Sequence, residues 1–434
     1  MNPSHEMLII FTRFPIPGKT KTRMIPALGE NGAARLQEAM TGHTVFRARV
    51  WAAVSGARIR VHHTGASAKK FRRWLGPELE YVEQGAGDLG ARMARAIEEG
   101  LRDGASRVVL MGCDCPDIEA RHLDTAFAAL KDHDAVVGPA TDGGYYLIGM
   151  RQCHGRLFGN MTWGTDSVLA ETRRRAQAQG LRLAELEPLH DIDEPDELDH
   201  WIRHSTPDTP HALSVIIPAL NEEAVIAGSI RSALPGALEV IVADGGSTDR
   251  TRDLARESGA RVIVTPRGRA AQMNVAAASA RGAILLFLHA DARLPAGYAK
   301  YIPRVLPENN TVAGAFTLGI DAVGHRFRIV EWGVRRRTHR FSLPYGDQAL
   351  FLRHDTFTRL GGYAHMPLME DFDLVRRLRK RGRIAIVDAV VRTSARRWER
   401  LGVCRTMFTN QRILLGAACG VSMERLARWY RREG

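Results

Sequence analysis

The chain has 434 residues, 45% of them hydrophobic, which is enough for two domains of ordinary size. Its formal charge of +13 favours acidic partners, such as nucleic acid, an anionic membrane surface or phosphorylated small molecules. The basic residues are spread through both halves without an aromatic-interleaved stripe or a nucleic-acid-binding motif, so we do not expect nucleic acid as a partner.

Cysteine usage and hydropathy indicate the compartment. The five cysteines are an odd and sparse set without the spacing of a disulfide framework, which favours a reducing environment. The first seven residues lack the basic and apolar regions of a signal peptide. The apolar stretch 413–421 is shorter than the ~20 residues that a spanning helix needs. We therefore expect a cytoplasmic protein that does not cross a membrane.

Two similar halves follow one another along the chain. Apolar strands open at residues 7–12 (MLIIFT) and 213–218 (LSVIIP), and each is followed by alternating apolar and amphipathic stretches typical of βαβ units with mostly parallel sheets. Residues 203–212 contain two prolines and little apolar content, as in a linker. We predict α/β domains at 1–205 and 206–434, the second ending in a helical segment. Neither half has the G-x-G-x-x-G pattern of a dinucleotide-binding fold.

The first strand leads into residues 13–23 (RFPIPGKTKTR), a turn followed by three cations. Gly18 lets the backbone approach a ligand, and Lys19, Lys21 and Arg23 can neutralise a di- or triphosphate. The segment predicts a phosphate clamp; the alternative is a solvated basic loop.

Carboxylates follow two later apolar runs of the first half. Asp114 ends the run 108–116, and Asp142 precedes a Gly-Gly pair. Two carboxylates at neighbouring strand ends suit a Mg²⁺ that also binds substrate phosphates, although either could instead cap a helix or turn. Cys113 and Cys115 flank Asp114 on what we predict to be a strand, and we interpret them as small packed residues rather than metal ligands.

Several segments of the first half together carry a family resemblance. They are FTRFPIPGKTKTR, GDLGARM with Asp88, GCDCP, GPATDGGYYLIG, WGTD and DIDEPDEL. Over about residues 7–202 the chain resembles nucleotidyltransferase-like transferases found beside radical-SAM proteins in arsenosugar-type clusters. The resemblance implies a glycosyltransferase-A fold, a relation to enzymes that join a nucleoside triphosphate to a phosphorylated acceptor, and a substrate-binding role for Asp88.

The second half begins with segments suited to a nucleotide. Asn221 and Glu222 follow its first strand, and Asp244 begins DGGSTD, where a carboxylate at a strand end can bind base and ribose while Asp249 caps a helix. In residues 267–274 (RGRAAQMN) three donors are placed to bind phosphate: Arg269, Gln272 and Asn274. The alternative for that segment is an ordinary basic helix.

Within residues 284–295, an apolar strand leads into His289-Ala290-Asp291. Together with four later segments, the segments of the second half resemble family 2 glycosyltransferases over about residues 212–400. The later segments are PYGDQAL with Asp347 and Gln348, GGY, MEDFD with Glu370 and Asp371, and TSARRW with Arg397 and Trp398. The last segments are similar to the subgroup that accompanies the first domain's family.

The resemblance implies roles for individual residues. His289-Ala290-Asp291 occupies the position of an Asp-x-Asp metal motif, so Asp291 would bind Mg²⁺ or Mn²⁺ with the donor diphosphate, while His289 is interpreted as a core or supporting residue. Asp371 would be the catalytic base, with Glu370 in support. Ser394 departs from the acceptor motif of processive members, which favours a single glycosidic bond.

We therefore expect an inverting, metal-dependent glycosyltransferase that uses a nucleotide-sugar and a small soluble acceptor, in an arsenosugar-type pathway. The first domain would bind a nucleotide-sugar or nucleoside triphosphate and make the activated sugar, or else be a non-catalytic nucleotide-binding regulatory module. Transfer to a lipid acceptor at the membrane surface is the alternative for the second domain, through the apolar-then-basic residues 407–432. Core packing explains that stretch equally well.

Overall fold

The computed structural model describes residues 5–205, 212–306, 310–419 and 421–433. Most of the predicted linker, 203–212, lies outside these ranges. The chain divides into two compact units, Met1–Thr206 with Thr358–Gly361, and Pro207–Phe357 with Gly362–Gly434. We keep 1–205 and 206–434 as the proposed domain limits.

The first unit is built on a seven-stranded sheet in the order β3-β2-β1-β4-β6-β5-β7. Its strands are β1 Glu6–Arg13, β2 Arg58–Thr64, β3 Glu80–Glu83, β4 Arg107–Met111, β5 Ala135–Pro139, β6 Tyr145–Met150 and β7 Leu183–Glu185. All of its pairings are parallel except the two that β6 makes with β4 and β5.

Helices cover both faces of this sheet: α1 Ile25–Ser55, α2 Ala68–Leu75, α3 Leu89–Arg102, α4 Ala120–Ala129, α5 Val168–Ala178 and α6 Leu198–Ser205. Successive side chains of a strand point to opposite faces. Leu8 and Ile10 of β1 accordingly pack in one core with α1, α2 and α4, while Met7 and Ile9 pack in another with α3 and α5. Burial on both faces explains why β1 is continuously apolar.

The second unit is built on an eight-stranded sheet in the order β10-β9-β8-β11-β14-β13-β15-β12. Its strands are β8 Leu213–Ala219, β9 Glu239–Asp244, β10 Arg261–Val264, β11 Ile284–Phe287, β12 Ala292–Arg293, β13 Thr311–Asp321, β14 Phe351–Arg353 and β15 Arg383–Ser394. Apart from the two-residue β12, strand order and direction repeat those of the first sheet, since β14, like β6, is antiparallel to both neighbours. The predicted fold class, two tandem α/β domains with mostly parallel sheets, is confirmed.

The helices of the second unit follow its strands and end in a helical segment: α7 Ile226–Ala233, α8 Thr251–Glu257, α9 Arg269–Ala278, α10 Ile302–Val305, α11 His325–Phe341, α12 His354–Arg359, α13 Glu370–Leu378, α14 Arg396–Leu401, α15 Val403–Ala418 and α16 Met423–Glu433. Among the described residues, none of the helices combines the length and apolar character needed to cross a membrane.

Two predicted strands end earlier than expected. β4 stops at Met111 and β11 at Phe287, so Asp114 and Asp291 lie in the loops that follow rather than on the strands. Cys113 and Cys115 are therefore loop residues, and both are buried in one core, in agreement with their interpretation as packed residues. The two loops still leave the carboxyl ends of parallel strands, where open α/β sheets bind ligands.

Candidate functional site

A cavity of about 640 Å³ in the second unit lies where β8 and β11 end. The structure brings many of the predicted site residues to its wall: Glu222, Arg269, Gln272, Asp291, Asp347, Glu370, Asp371 and Trp398. The C-terminal helices α15 and α16 contribute further wall residues, including Asn410 and Tyr430. The cavity combines carboxylates, a guanidinium group and aromatic rings.

Asp371 stands in the first turn of α13 and has a fixed carboxylate. Its Oδ2 accepts a hydrogen bond of 2.7 Å from the Gly346 amide, and its Oδ1 accepts one of 2.7 Å from the amide of Phe372. A carboxylate in the first turn of a helix is also stabilised by the helix dipole. Both oxygens are thus oriented while keeping lone pairs for another donor.

Gly346 makes this arrangement possible. A Cβ atom at this position would lie 2.9 Å from Asp371 Oδ2 and 3.0 Å from His289 Nε2. Any larger residue would push on both side chains at once. The loop before β14 therefore needs glycine here for space.

Arg269, at the start of α9, lies between two other wall residues. Its Nη2 donates to His289 Nε2, and its Nε is 3.6 Å from Glu370 Oε1. Burial and the nearby guanidinium lower the pKa of His289 well below its usual value, so the ring is neutral. Burial raises the pKa of Glu370, with Arg269 acting in the opposite direction. His289, for which we expected a core or supporting position, lies on the cavity wall and orients Arg269.

Asp291 lies on the same wall, and burial raises its pKa. Nearby, Glu222 Oε2 accepts a hydrogen bond of 3.0 Å from Arg396. No group of three or more His, Cys, Asp or Glu side chains that could hold a metal ion occurs within the part of the chain that the structure describes. A metal ion at Asp291 would therefore take most of its ligands from substrate and water.

Asp347 has a neighbourhood that the sequence does not reveal. Burial raises its pKa to about 6, and its Oδ1 has no hydrogen-bond partner among the described residues. The Arg337 guanidinium lies 3.6 Å from the centroid of the Tyr345 ring, and its charge lowers the pKa of Asp347 against the effect of burial. Arg337 comes from α11, a helix in which the sequence predicted no site residue.

Other predicted ligands support the walls. Asp244 is fully buried, and its Oδ2 accepts from the amides of Gly246 and Ser247 at 3.1 and 3.0 Å. Asn221 Oδ1 accepts from the amide of Thr248 at 2.9 Å. These two side chains shape the loops after β8 and β9 and do not line the cavity.

Three predicted amide side chains also bind backbone. Gln272, although on the wall, donates to the carbonyls of Ala219 and Ala243 at 2.9 and 2.8 Å. Asn274 exchanges two hydrogen bonds with the backbone of Tyr363, and Gln348 donates to the Phe316 carbonyl at 3.0 Å. Their polar groups are already used within the fold. The side chain of Arg397 lies outside the described residues.

The first unit has two neighbouring cavities, of about 380 and 300 Å³. They share the wall residues Phe11, Thr12, Arg13, Asp114 and Asp193. The larger cavity also contains Asp142 and Asp191, and the smaller contains Lys21 and Arg23. The structure thus brings most of the predicted clamp close to the predicted metal ligands.

Lys21 is the central cation of this region. Its Nζ lies 2.5 Å from Asp114 and 2.7 Å from Asp193, and the side chain is only 5% exposed. Burial lowers its pKa, but the two carboxylates more than offset this and hold the pKa above its usual value. Arg23 pairs with Glu194 at 3.2 Å, while Lys19 is exposed and lines neither cavity.

Asp191 and Asp193 were not among the predicted site residues, although DIDEPDEL is part of the family resemblance. Asp191 is 8% exposed, and its Oδ1 has no partner among the described residues. Burial and the charge of Asp142 raise the pKa of Asp191 to about 7. Asp88 lines neither cavity, although Leu89 beside it lines the larger one, and it caps α3 by accepting from the Ala91 amide at 2.8 Å.

Comparisons with known proteins assign the two units to sequence families. The family described as "Uncharacterized protein conserved in bacteria (DUF2064)" matches residues 47–165, and Glycosyl transferase family 2 matches residues 214–366. An uncharacterized glycosyltransferase of Mycobacterium bovis is 33% identical over 150 residues, which are 32% of this chain. The chain spans 65% of the length of that relative.

A second relative is the 3-phospho-D-glycerate guanylyltransferase of Phenylobacterium zucineum. It is 33% identical over 152 residues, which are 31% of this chain and 68% of that protein, and the chain belongs to the same family. A crystal structure of a candidate nucleotide-diphospho-sugar transferase from Desulfovibrio desulfuricans is 32% identical, with a TM-score of 0.44. That match covers 47% of this chain and 89% of the other.

Proposed function

We propose, for a chain that joins a DUF2064 domain to a glycosyl transferase family 2 domain, that the second domain transfers a sugar from a nucleotide-sugar to an acceptor hydroxyl with inversion. One observation carries the proposal. The carboxylate of Asp371, fixed by two backbone amides, lies in the wall of the same cavity as Arg269 and Asp291. A base, a cation and a further carboxylate are thus available around one bound substrate.

Asp371 acts as the general base. Each of its oxygens accepts one amide hydrogen bond and keeps a lone pair for the acceptor hydroxyl. As the acceptor oxygen bonds to the anomeric carbon, its proton moves to Asp371 and the bond to the nucleoside diphosphate breaks. This single displacement inverts the anomeric configuration.

Arg269 offsets the charge of the leaving diphosphate. Its guanidinium group is held by His289 on one side and by Glu370 on the other. The side chain of Arg269 is therefore already oriented before the donor binds. The neutral His289 adds no negative charge where an Asp-x-Asp motif would have a carboxylate. Arg269 therefore supplies much of the positive charge at this site.

A divalent ion, Mg²⁺ or Mn²⁺, would be held by Asp291. Burial penalises the charge of this carboxylate, and a bound cation would offset that cost. When bound, such an ion would help to neutralise the diphosphate. Because the described residues form no group of three or more His, Cys, Asp or Glu side chains that could hold an ion, metal binding should depend on the donor.

We propose a small acceptor and a single glycosidic bond, in a cytoplasmic pathway of the arsenosugar type. The cavity of about 640 Å³ lies within the size of ligand pockets for small molecules. Trp398 and Tyr430 give it aromatic walls against which a sugar ring can pack.

The first domain is proposed to bind a nucleoside triphosphate or nucleotide-sugar, and to join nucleotide to a phosphorylated acceptor. Arg13, Lys21 and Arg23 supply positive charge around its two cavities, and Asp142 and Asp191 supply carboxylates for Mg²⁺. The related guanylyltransferase supports this reading.

The proposal is tested with the full chain and a panel of nucleotide-sugars, with Mn²⁺ or Mg²⁺ present. We expect one donor to be hydrolysed slowly to sugar and nucleoside diphosphate, with the freed sugar in the inverted anomeric configuration by NMR. Release of nucleoside monophosphate from every active donor, or retention of configuration, would contradict the proposed displacement. Nucleoside triphosphates, tested for pyrophosphate release with phosphorylated acceptors, address the first domain separately.

A further inference from the structure

Two helices of the second unit present large apolar side chains to solvent that sugar transfer does not use. Ile329 and Trp332 of α11 are 63% and 62% exposed, and Phe408 and Leu415 of α15 are 68% and 64% exposed. Isolated exposed apolar residues are ordinary, but clustered ones mark interaction surfaces. Within each of the two helices, the spacing of these residues places them on the same side.

On α11 the inner and outer faces are distinct. Phe327, Val330 and Thr338 are buried. Ile329 and Trp332 are three residues apart, and Arg336 and Arg340 follow Trp332 at intervals of four, so these four side chains form one outward row. Trp332 and Arg336 also contact each other, with the guanidinium 5.5 Å from the ring.

On α15 the same separation occurs. Thr406, Thr409 and Ile413 are buried, while Phe408 and Leu415, seven residues apart, share the outward side. Val334 of α11 and Val403 of α15 both pack against one small core made of Ile320, Phe327, Val330 and Ala395. Both helices are therefore anchored on the same core.

The charge on these two helices is mostly positive. The sequence of α11 contains six arginines and one glutamate, and that of α15 contains two arginines and no acidic residue. Tryptophan and aliphatic side chains interspersed with arginine are typical of helices that lie at the boundary between lipid headgroups and acyl chains. The positive charge complements anionic lipids rather than neutral ones.

We propose that the α11–α15 face, made of Ile329, Trp332, Arg336, Arg340, Phe408 and Leu415, docks the second domain on an anionic lipid bilayer. The apolar side chains enter the headgroup boundary, and the arginines contact lipid phosphates. The docking is peripheral, and it does not depend on the transfer chemistry proposed above.

The test is sedimentation of the full chain with vesicles. We expect binding to phosphatidylcholine vesicles that contain about 30% phosphatidylglycerol, little binding to phosphatidylcholine alone, and loss of binding as salt rises. Arg336→Gln should lower the partition coefficient about fivefold. Trp332→Ser and Phe408→Ser should each lower it roughly tenfold.

Val54→Ser is the matched control, because Val54 is 69% exposed on α1 of the first unit. It should bind vesicles like the wild type, and circular dichroism checks that each variant is folded. Absence of binding to anionic vesicles would overturn the proposal, as would equal binding by Trp332→Ser and Val54→Ser. Turnover of a nucleotide-sugar without vesicles should be unchanged in all these variants, which separates docking from catalysis.

Discussion

Gly346→Ala is expected to impair catalysis by moving the proposed base. The new Cβ would lie 2.9 Å from Asp371 Oδ2, whereas ordinary contacts begin at 3.4 Å, so the carboxylate must shift by about 0.5 Å. A displacement of about 1 Å at a reacting group can cost on the order of a hundredfold, so we expect kcat to fall about tenfold or more. The KM for the donor should rise as well, because the same Cβ would lie 3.0 Å from His289 Nε2, which orients Arg269.

Steady-state kinetics with the active donor and a thermal unfolding curve measure both effects. Gly333→Ala is the control, since a Cβ there meets nothing within 4 Å. In an Asp371→Asn background, Gly346→Ala should cause little further loss, because both changes act on one group. Wild-type kcat in Gly346→Ala, or a full additional loss in the double variant, would refute the argument.

Three further predictions concern charge. In the wild type, EDTA should weaken the binding of a nucleoside diphosphate, measured by calorimetry, and in Asp291→Ala it should have no further effect. An equal effect of EDTA on both proteins would exclude a metal at Asp291. Lys21→Ala and Arg23→Ala should each weaken nucleotide binding to the first domain, as measured by thermal shift of the full chain; unchanged shifts would show that the phosphate binds elsewhere. Burial and Arg60 lower the pKa of His62 in the folded protein to about 4, whereas the ordinary pKa of histidine is about 6.5. As the pH falls from about 6.5 towards 4, His62 is therefore protonated in the unfolded chain but not in the folded one. The free energy of unfolding should therefore drop by about 3 kcal/mol between pH 6.5 and 4 on account of His62, and urea titrations of His62→Leu should show a correspondingly smaller drop.

The fold could be predicted because its signals are local. Apolar runs such as residues 7–12 and 213–218 predicted the first strand of each sheet, and the structure has β1 and β8 there. The early ends of β4 and β11 could not be predicted, since the apolar character continues into loops that are themselves buried. An apolar sequence indicates that residues are buried, and at these two places the buried residues continue past the last hydrogen bonds of the strand.

The site could be predicted in part. Arg269, Asp291 and Asp371 meet at one cavity. Arg269 and Asp291 follow β10 and β11 at the carboxyl ends of these strands, whereas Asp371 follows α12 and reaches the cavity through tertiary packing. The roles of Gln272 and Asn274 were not evident, since an amide at a helix start can bind phosphate or a carbonyl equally well. In the structure, buried carbonyls of other segments take these donors.

Contacts that form only through tertiary packing could not be predicted from the sequence. Lys21 and Asp193 are 172 residues apart, and only the fold brings them to 2.7 Å. Arg337 reaches Tyr345 across the loop that joins α11 to β14, without any motif to signal it. Such contacts depend on tertiary packing rather than on local pattern.

The central claim is that Asp371 takes the acceptor's proton, and turnover of Asp371→Asn beside Glu370→Gln tests it most directly. Asparagine keeps the shape of the side chain but cannot accept the proton, so kcat should fall by about 10²–10⁴ while donor affinity, measured by calorimetry, stays within about twofold. Glu370→Gln should lose less turnover but bind the donor differently, because Glu370 faces Arg269 at 3.6 Å. Near-native turnover in Asp371→Asn together with an inactive Glu370→Gln would contradict the assignment and move the base by one residue.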